Sequence, residues 1–188
     1  MPLRGTSTFV PATSAEEHRV RDPPGLEDSS IVHYAGHIPI DIERNANLFY
    51  WLFEATTKDA ESEAPIIIWL NGGPGCSSLI GQFLEVGPLS LNHDGQVEVR
   101  PEGWNQLGHL LFIDQPVGTG YSYLSRSGSG IRGGKGTRSS CKNDEECNAD
   151  FYAFLLNFFS LHSKYLTVGE GGRKVTRRII LTGESHAG

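Results

Sequence analysis

The run "APIIIWL", Ala64 to Leu70, breaks directly into "NGGPGCSS", Asn71 to Ser78. A continuous apolar run of this length is expected of a strand covered on both faces, not of one alternating between core and water. The glycines that follow stand at the strand's carboxyl end. In α/β sheets that edge binds ligands, and bare backbone there lets N–H groups approach one closely. A Gly/Pro-rich turn with no chemical role fits the same residues equally well.

The rest of the chain supplies neighbours for such a strand. "SIVHYAGHIPI" and "NANLFYWLFEA" read as two strands, with Asn45-Ala46-Asn47 suggesting a hairpin connection. "QVEV" and "HLLFIDQP" read as further strands, the second again buried. A helix start is marked by Asn143 as cap, Glu146 three residues on, and acidic residues 144–146 at the positive end of the dipole. Phe151, Phe154, Leu155, Phe158, Phe159 and His162 then recur at helical spacing, so that face is core and His162 a packed histidine. Strand, helix and the final strand in "RRIILTGES" make an α/β unit. Residues 1–28 lack periodicity and read as a tail. Residues 29–188 read as one domain, interrupted by a Gly/Ser/Arg-rich surface loop at 125–140.

Several function classes are excluded. A net charge of −6 with scattered acids gives no basic footprint for nucleic acid. No window approaches the roughly 18 apolar residues of a membrane span, and the N-terminus has no apolar signal-peptide region. "GSGIRG", Gly128 to Gly133, matches a dinucleotide fingerprint but lies in a polar loop instead of between strand and helix. The three cysteines, Cys76, Cys141 and Cys147, lack zinc-site spacing. Cys141 and Cys147 could pair locally if the chain bends enough, which would leave Cys76 over.

"TGESHAG", Thr182 to Gly188, is the second chemical signal. Gly-x-Ser-x-small after an apolar run is how a nucleophile elbow presents its serine. With an upstream glycine loop it makes the elbow and oxyanion pair that acyl transfer needs. Together, "WLNGGPGCSS", "FLEVGPLSLN", "WNQLGHLLFIDQPVGTGYSY" and "LTGESHAG" resemble the serine carboxypeptidases, which have the α/β-hydrolase fold. "YAGHIPID" and "IDQPVGTGYSY" lean toward the fungal pheromone-processing and the lysosomal or vacuolar members. The resemblance covers about Val32 to Gly188.

The resemblance implies roles. Ser185 is the nucleophile, and Gly73 and His186 offer backbone N–H groups to the oxyanion. Asn71, Gly72 and Glu184 grip the substrate's free α-carboxylate, with Glu85 supporting them from behind. Tyr121 lies near the cleft, and Cys76 pairs with a cysteine beyond residue 188. Peptide or protein C-termini are the substrate, no metal or cofactor is needed, and the compartment is secretory, vacuolar, lysosomal or extracellular. In this family the residue after the serine is usually Tyr; here it is His186. The triad order of Ser, Asp, His puts both partners of Ser185 after residue 188. The chain is therefore expected to be the N-terminal part of an α/β-hydrolase domain, cut at the elbow and inactive alone. An acyltransferase on the same scaffold, or a non-catalytic form that binds peptide C-termini, are the alternatives.

Overall fold

The computed structural model describes residues 14–21, 26, 30–42, 45–57, 64–124, 141–170 and 173–188. Most of the expected tail and all of the expected loop at 125–140 lie outside the described residues. In chain order the strands are β1 (His33–Asp41), β2 (Ala46–Phe53), β3 (Ile66–Leu70), β4 (Leu89–Leu91), β5 (Val97–Val99), β6 (His109–Ile113) and β7 (Tyr123–Leu124). Helix α1 (Asp144–Leu161) follows, then β8 (Thr167–Glu170), β9 (Arg173–Thr176) and β10 (Ile179–Gly183).

The main sheet runs β1-β2-β6-β3-β10, with β7 added on β2. The first hairpin is antiparallel, His33 facing Phe53, and Asn45 at its turn takes φ 48°, a left-handed value Asn tolerates. β2 pairs antiparallel with β6, whereas β6, β3 and β10 are mutually parallel. Consequently the loops after β3, β6 and β10 leave the sheet at one edge. "QVEV" is a strand, but it pairs with β4 in a separate two-stranded sheet. The β8–β9 hairpin, unforeseen in the sequence, intervenes between α1 and β10.

Both faces of β3 are covered. Ile66 and Ile68 point with Leu111, Ile113, Leu48 and Tyr50 into a core closed by Phe154, Phe158 and Phe159 of α1. Ile67 and Trp69 point the other way, with Leu110, Phe112, Phe53 and Leu89. Asn143 caps α1 by accepting from the Glu146 amide at 2.9 Å, and Glu146 returns a bond to Lys142 N–H. Cys141 and Cys147 form a disulfide across this cap, with Cα atoms 5.1 Å apart.

His162 is buried in the core at the end of α1. Its Nε2 lies 2.6 Å from the Tyr50 hydroxyl, which also meets His18 Nδ1 at 2.7 Å. The described part of the expected tail thus packs on the domain, through His18 and through buried Leu26.

Candidate active site

Register brings the two glycine-bearing motifs together. β10 lies beside β3 with Ile179 opposite Ile66 and Gly183 opposite Leu70, so both strands end at one level. The Glu184 amide then donates to the Leu70 carbonyl at 3.3 Å, tying the elbow to the start of the glycine loop. Ser185 takes φ 56°. A positive φ is costly for a residue with a Cβ and persists only where the surroundings enforce it. Gly72 packs closely against this turn: a Cβ there would stand 2.7 Å from the His186 nitrogen and 2.8 Å from the Ser185 Cβ. Only glycine permits that approach.

Asn71 is buried, and all its side-chain valences are used. Its Oδ1 accepts from Trp69 Nε1 at 2.8 Å and from the Gly81 amide at 3.0 Å. Its Nδ2 donates to Glu85 at 3.3 Å and to Glu184 at 3.4 Å. Two exposed carboxylates therefore flank one buried amide at the mouth of the glycine loop. The Gly73 N–H has no acceptor among the described residues.

A cavity of about 550 Å³ opens here, lined by Asn71, Gly72 and His186 on one side and by Asp144, Cys147 and Phe151 of α1 on the other. A second, of about 340 Å³, lies between the same helix start, Pro74–Gly75 and the 116–119 loop, and His186 lines both. Tyr121 lines neither. Its ring rests 5.2 Å from that of Phe49, its carbonyl accepts from His37, and its side chain is exposed. Its amide, however, is bound to the carboxylate of Asp114, a residue the sequence reading passed over.

Asp114 is 1% exposed. It accepts from the Ser77 hydroxyl at 2.7 Å, the Ser78 amide at 2.8 Å and the Tyr121 amide at 2.9 Å. Burial raises its pKa above the ordinary carboxylate value, and these hydrogen bonds only partly oppose the rise. The legible signal was its place: an acid directly after a buried strand, at the ligand-binding edge. The helix start itself was legible, but not its place in the cavity wall, because chain order does not reveal that α1 begins opposite the elbow. Cys76 is exposed and unbonded among the described residues.

Comparison with known proteins gives this geometry a family. The signature described as "Serine carboxypeptidase" matches residues 24–188. The chain is 39% identical over 176 residues to the pheromone-processing carboxypeptidase KEX1 of Phytophthora infestans, covering 93% of this chain and 27% of that one. It is 37% identical over 182 residues to kex1 of Neosartorya fischeri, covering 96% and 25% respectively. It therefore spans about a quarter of the length of these relatives. The crystal structure of KEX1(DELTA)P, a prohormone-processing carboxypeptidase from Saccharomyces cerevisiae, superimposes with a TM-score of 0.69 at 34% identity, over 91% of this chain and 36% of that one. The mixed sheet is thus that of an α/β hydrolase, and the chain belongs to the serine carboxypeptidase family.

Proposed function

We propose that Ser185 is the nucleophile of a serine-type carboxypeptidase that releases C-terminal amino acids from peptides. The observation that carries this reading is the strained Ser185, at φ 56°, packed against Gly72 and next in sequence to Glu184, which Asn71 links to Glu85. Ser185 Oγ would attack the last peptide carbonyl. The oxyanion would then be received by the N–H groups of Gly73 and His186. Collapse expels the C-terminal amino acid, and water hydrolyses the acyl-enzyme.

The substrate's terminal carboxylate would join the Asn71 amide and the Gly72 N–H, beside Glu184. Two carboxylates at hydrogen-bond distance need a proton between them. Of the seven histidines, only His186 lines either cavity, and its proposed role uses its backbone. We infer that the base activating Ser185 comes from outside these 188 residues, and that they turn over no peptide by themselves. The Cys141–Cys147 disulfide supports an oxidising compartment such as the secretory route.

The test is hydrolysis by the full-length protein of peptides with free and with amidated C-termini. Release of the last residue from the free acid alone, lost in Ser185→Ala, is expected. Acyl transfer to an added alcohol in preference to water would favour an acyltransferase. Binding of free C-termini without turnover would favour a non-catalytic role.

A further inference from the structure

We propose that Asp114 is a positioning residue: it holds the Gly73 amide and the 116–119 wall of the cleft in place relative to Ser185. The proposal rests on the reading of Ser185 as nucleophile.

Asp114 is the first residue after β6, at the edge where the β3 and β10 loops also emerge. Its two carboxylate oxygens serve different loops. Oδ1 takes the Ser77 hydroxyl and the Ser78 amide, from the loop that begins at Asn71. Oδ2 takes the Tyr121 amide, from the loop that supplies Pro116 to Thr119 to the cleft. The latter loop wraps the carboxylate so closely that a Cβ on Gly120 would stand 2.0 Å from Oδ2, and Gly120 has φ 52°.

The joint extends through its neighbours. Ser78 Oγ donates to the Ile113 carbonyl at 2.6 Å and accepts from the Asn71 amide at 3.1 Å. Ser122 Oγ donates to the Asp114 carbonyl at 2.5 Å and accepts from the Phe49 amide at 2.7 Å. Gly73 lies between two tethered points, Asn71 and Ser77.

The chemistry explains why an acid stands here. Among the described residues no Lys or Arg forms an ion pair with Asp114. A buried carboxylate without a cation is costly, and an amide of the same shape would avoid that cost. An amide, however, accepts at one end and donates at the other, whereas here donors approach both ends. Only a carboxylate joins the two loops.

The carboxylate-binding side chain has holds of its own, besides the bond from its backbone N–H to Ser78. Trp69 and Gly81 fix the Asn71 side chain without Asp114. Loss of the joint should therefore disturb the oxyanion donor more than the grip on the substrate's terminus, lowering kcat more than it raises KM.

The experiment uses the full-length protein and its Asp114→Asn and Ser77→Ala variants, followed by peptide kinetics and amide hydrogen exchange. Asp114→Asn should lower kcat roughly 10- to 100-fold, less than or near the loss of a whole oxyanion donor, with KM within about threefold. Exchange should rise at Ser78 and Tyr121 while β3 and β6 stay protected. Ser77→Ala, which removes one of three bonds, should lower kcat by less and in the same sense; it carries the test if Asp114→Asn does not fold. Wild-type kcat in both variants, or unchanged exchange at Ser78 and Tyr121, would overturn the proposal. Absence of Ser185-dependent hydrolysis in the wild type would instead defeat the nucleophile reading, and the exchange arm would still decide whether Asp114 joins the loops.

Discussion

The Asn71 side-chain nitrogen donates to Glu184, the residue immediately before the proposed nucleophile, at 3.4 Å. The same nitrogen reaches Glu85. If this group binds the substrate's terminal carboxylate, Glu184→Ala, which removes the hydrogen-bonding group altogether, should act mainly on binding. KM for a free-acid peptide should rise about tenfold, equivalent to one charge-assisted hydrogen bond, with kcat changing less. Steady-state kinetics on the full-length protein, with an amidated peptide as control, check this. An unchanged KM would remove Glu184 from the carboxylate site.

Gly72→Ala tests the elbow itself. The added Cβ would fall 2.7 Å from the His186 nitrogen and 2.8 Å from the Glu184 carbonyl, both backbone atoms that cannot swing aside. Overpacking of this kind costs about 1–3 kcal/mol of stability. Displacement of Ser185 by about 1 Å should lower kcat at least 100-fold. Fluorophosphonate labelling of Ser185 in the full-length protein should slow in parallel; labelling at the wild-type rate would contradict the packing argument.

What could be read from the chain divides along physical lines. "IIIWL" and "HLLFI" were legible because burial on both faces demands continuous apolar residues, and α1 because its cap and its Phe spacing agree. β4 was missed: three residues, Leu89 to Leu91, are too few to show a period. The π-helical turn Gly81–Glu85 carries no distinct signature either, although it positions Glu85 and gives Asn71 the Gly81 amide. Asn71, Gly72 and Ser185 could be singled out as candidates because glycine and elbow motifs are local. Asp114 was not, since its meaning lies in two loops, Ser77–Ser78 and Tyr121, that meet only in three dimensions.

Stability should fall in mild acid. His33, stacked on Phe53 and accepting from Trp51, and His162, bonded to Tyr50, are both pushed down to about 4 by burial, aided by Arg19 beside His33 and by His18 and Lys164 near His162. In the unfolded chain each titrates near 6.5. Between those values the unfolded state binds protons that the folded state refuses. Stability is therefore complete above about pH 6.5 and is lost as pH falls toward 4. Asp114, raised by burial, acts in the opposite sense as it protonates. Thermal melting followed by circular dichroism at pH 7, 5.5 and 4 should show a falling midpoint, flattened in His162→Gln. An identical profile in that variant would exclude His162 as a source.

Reduction of Cys141–Cys147 should loosen the cleft wall before it loosens the core. The bridge spans a sequence separation of 6, so releasing it should cost about 2 kcal/mol, the low end for short loops. The loss should centre on the Asn143 cap and on Asp144 and Cys147, which face the elbow. Protease cutting near residue 142 should accelerate in Cys147→Ser while melting of the sheet shifts by only a few degrees. Equal cutting rates with and without the bridge would argue that the cap alone holds this helix start.

The strand that leads to Ser185 has one partner among the described residues. Among the described residues β10 pairs only with β3, and Ile179, Ile180 and Leu181 are each more than a third exposed. β3, β6 and β2 are by contrast flanked on both sides. Local opening begins where backbone bonds are fewest and apolar contacts thinnest. The proposed nucleophile thus follows the least protected strand of the main sheet's parallel half, while Gly73 follows β3, which is paired on both sides. Warming these 188 residues should part Ser185 from Gly73 before the core melts, so that amide exchange along residues 179–183 rises ahead of any loss of the sheet's circular dichroism.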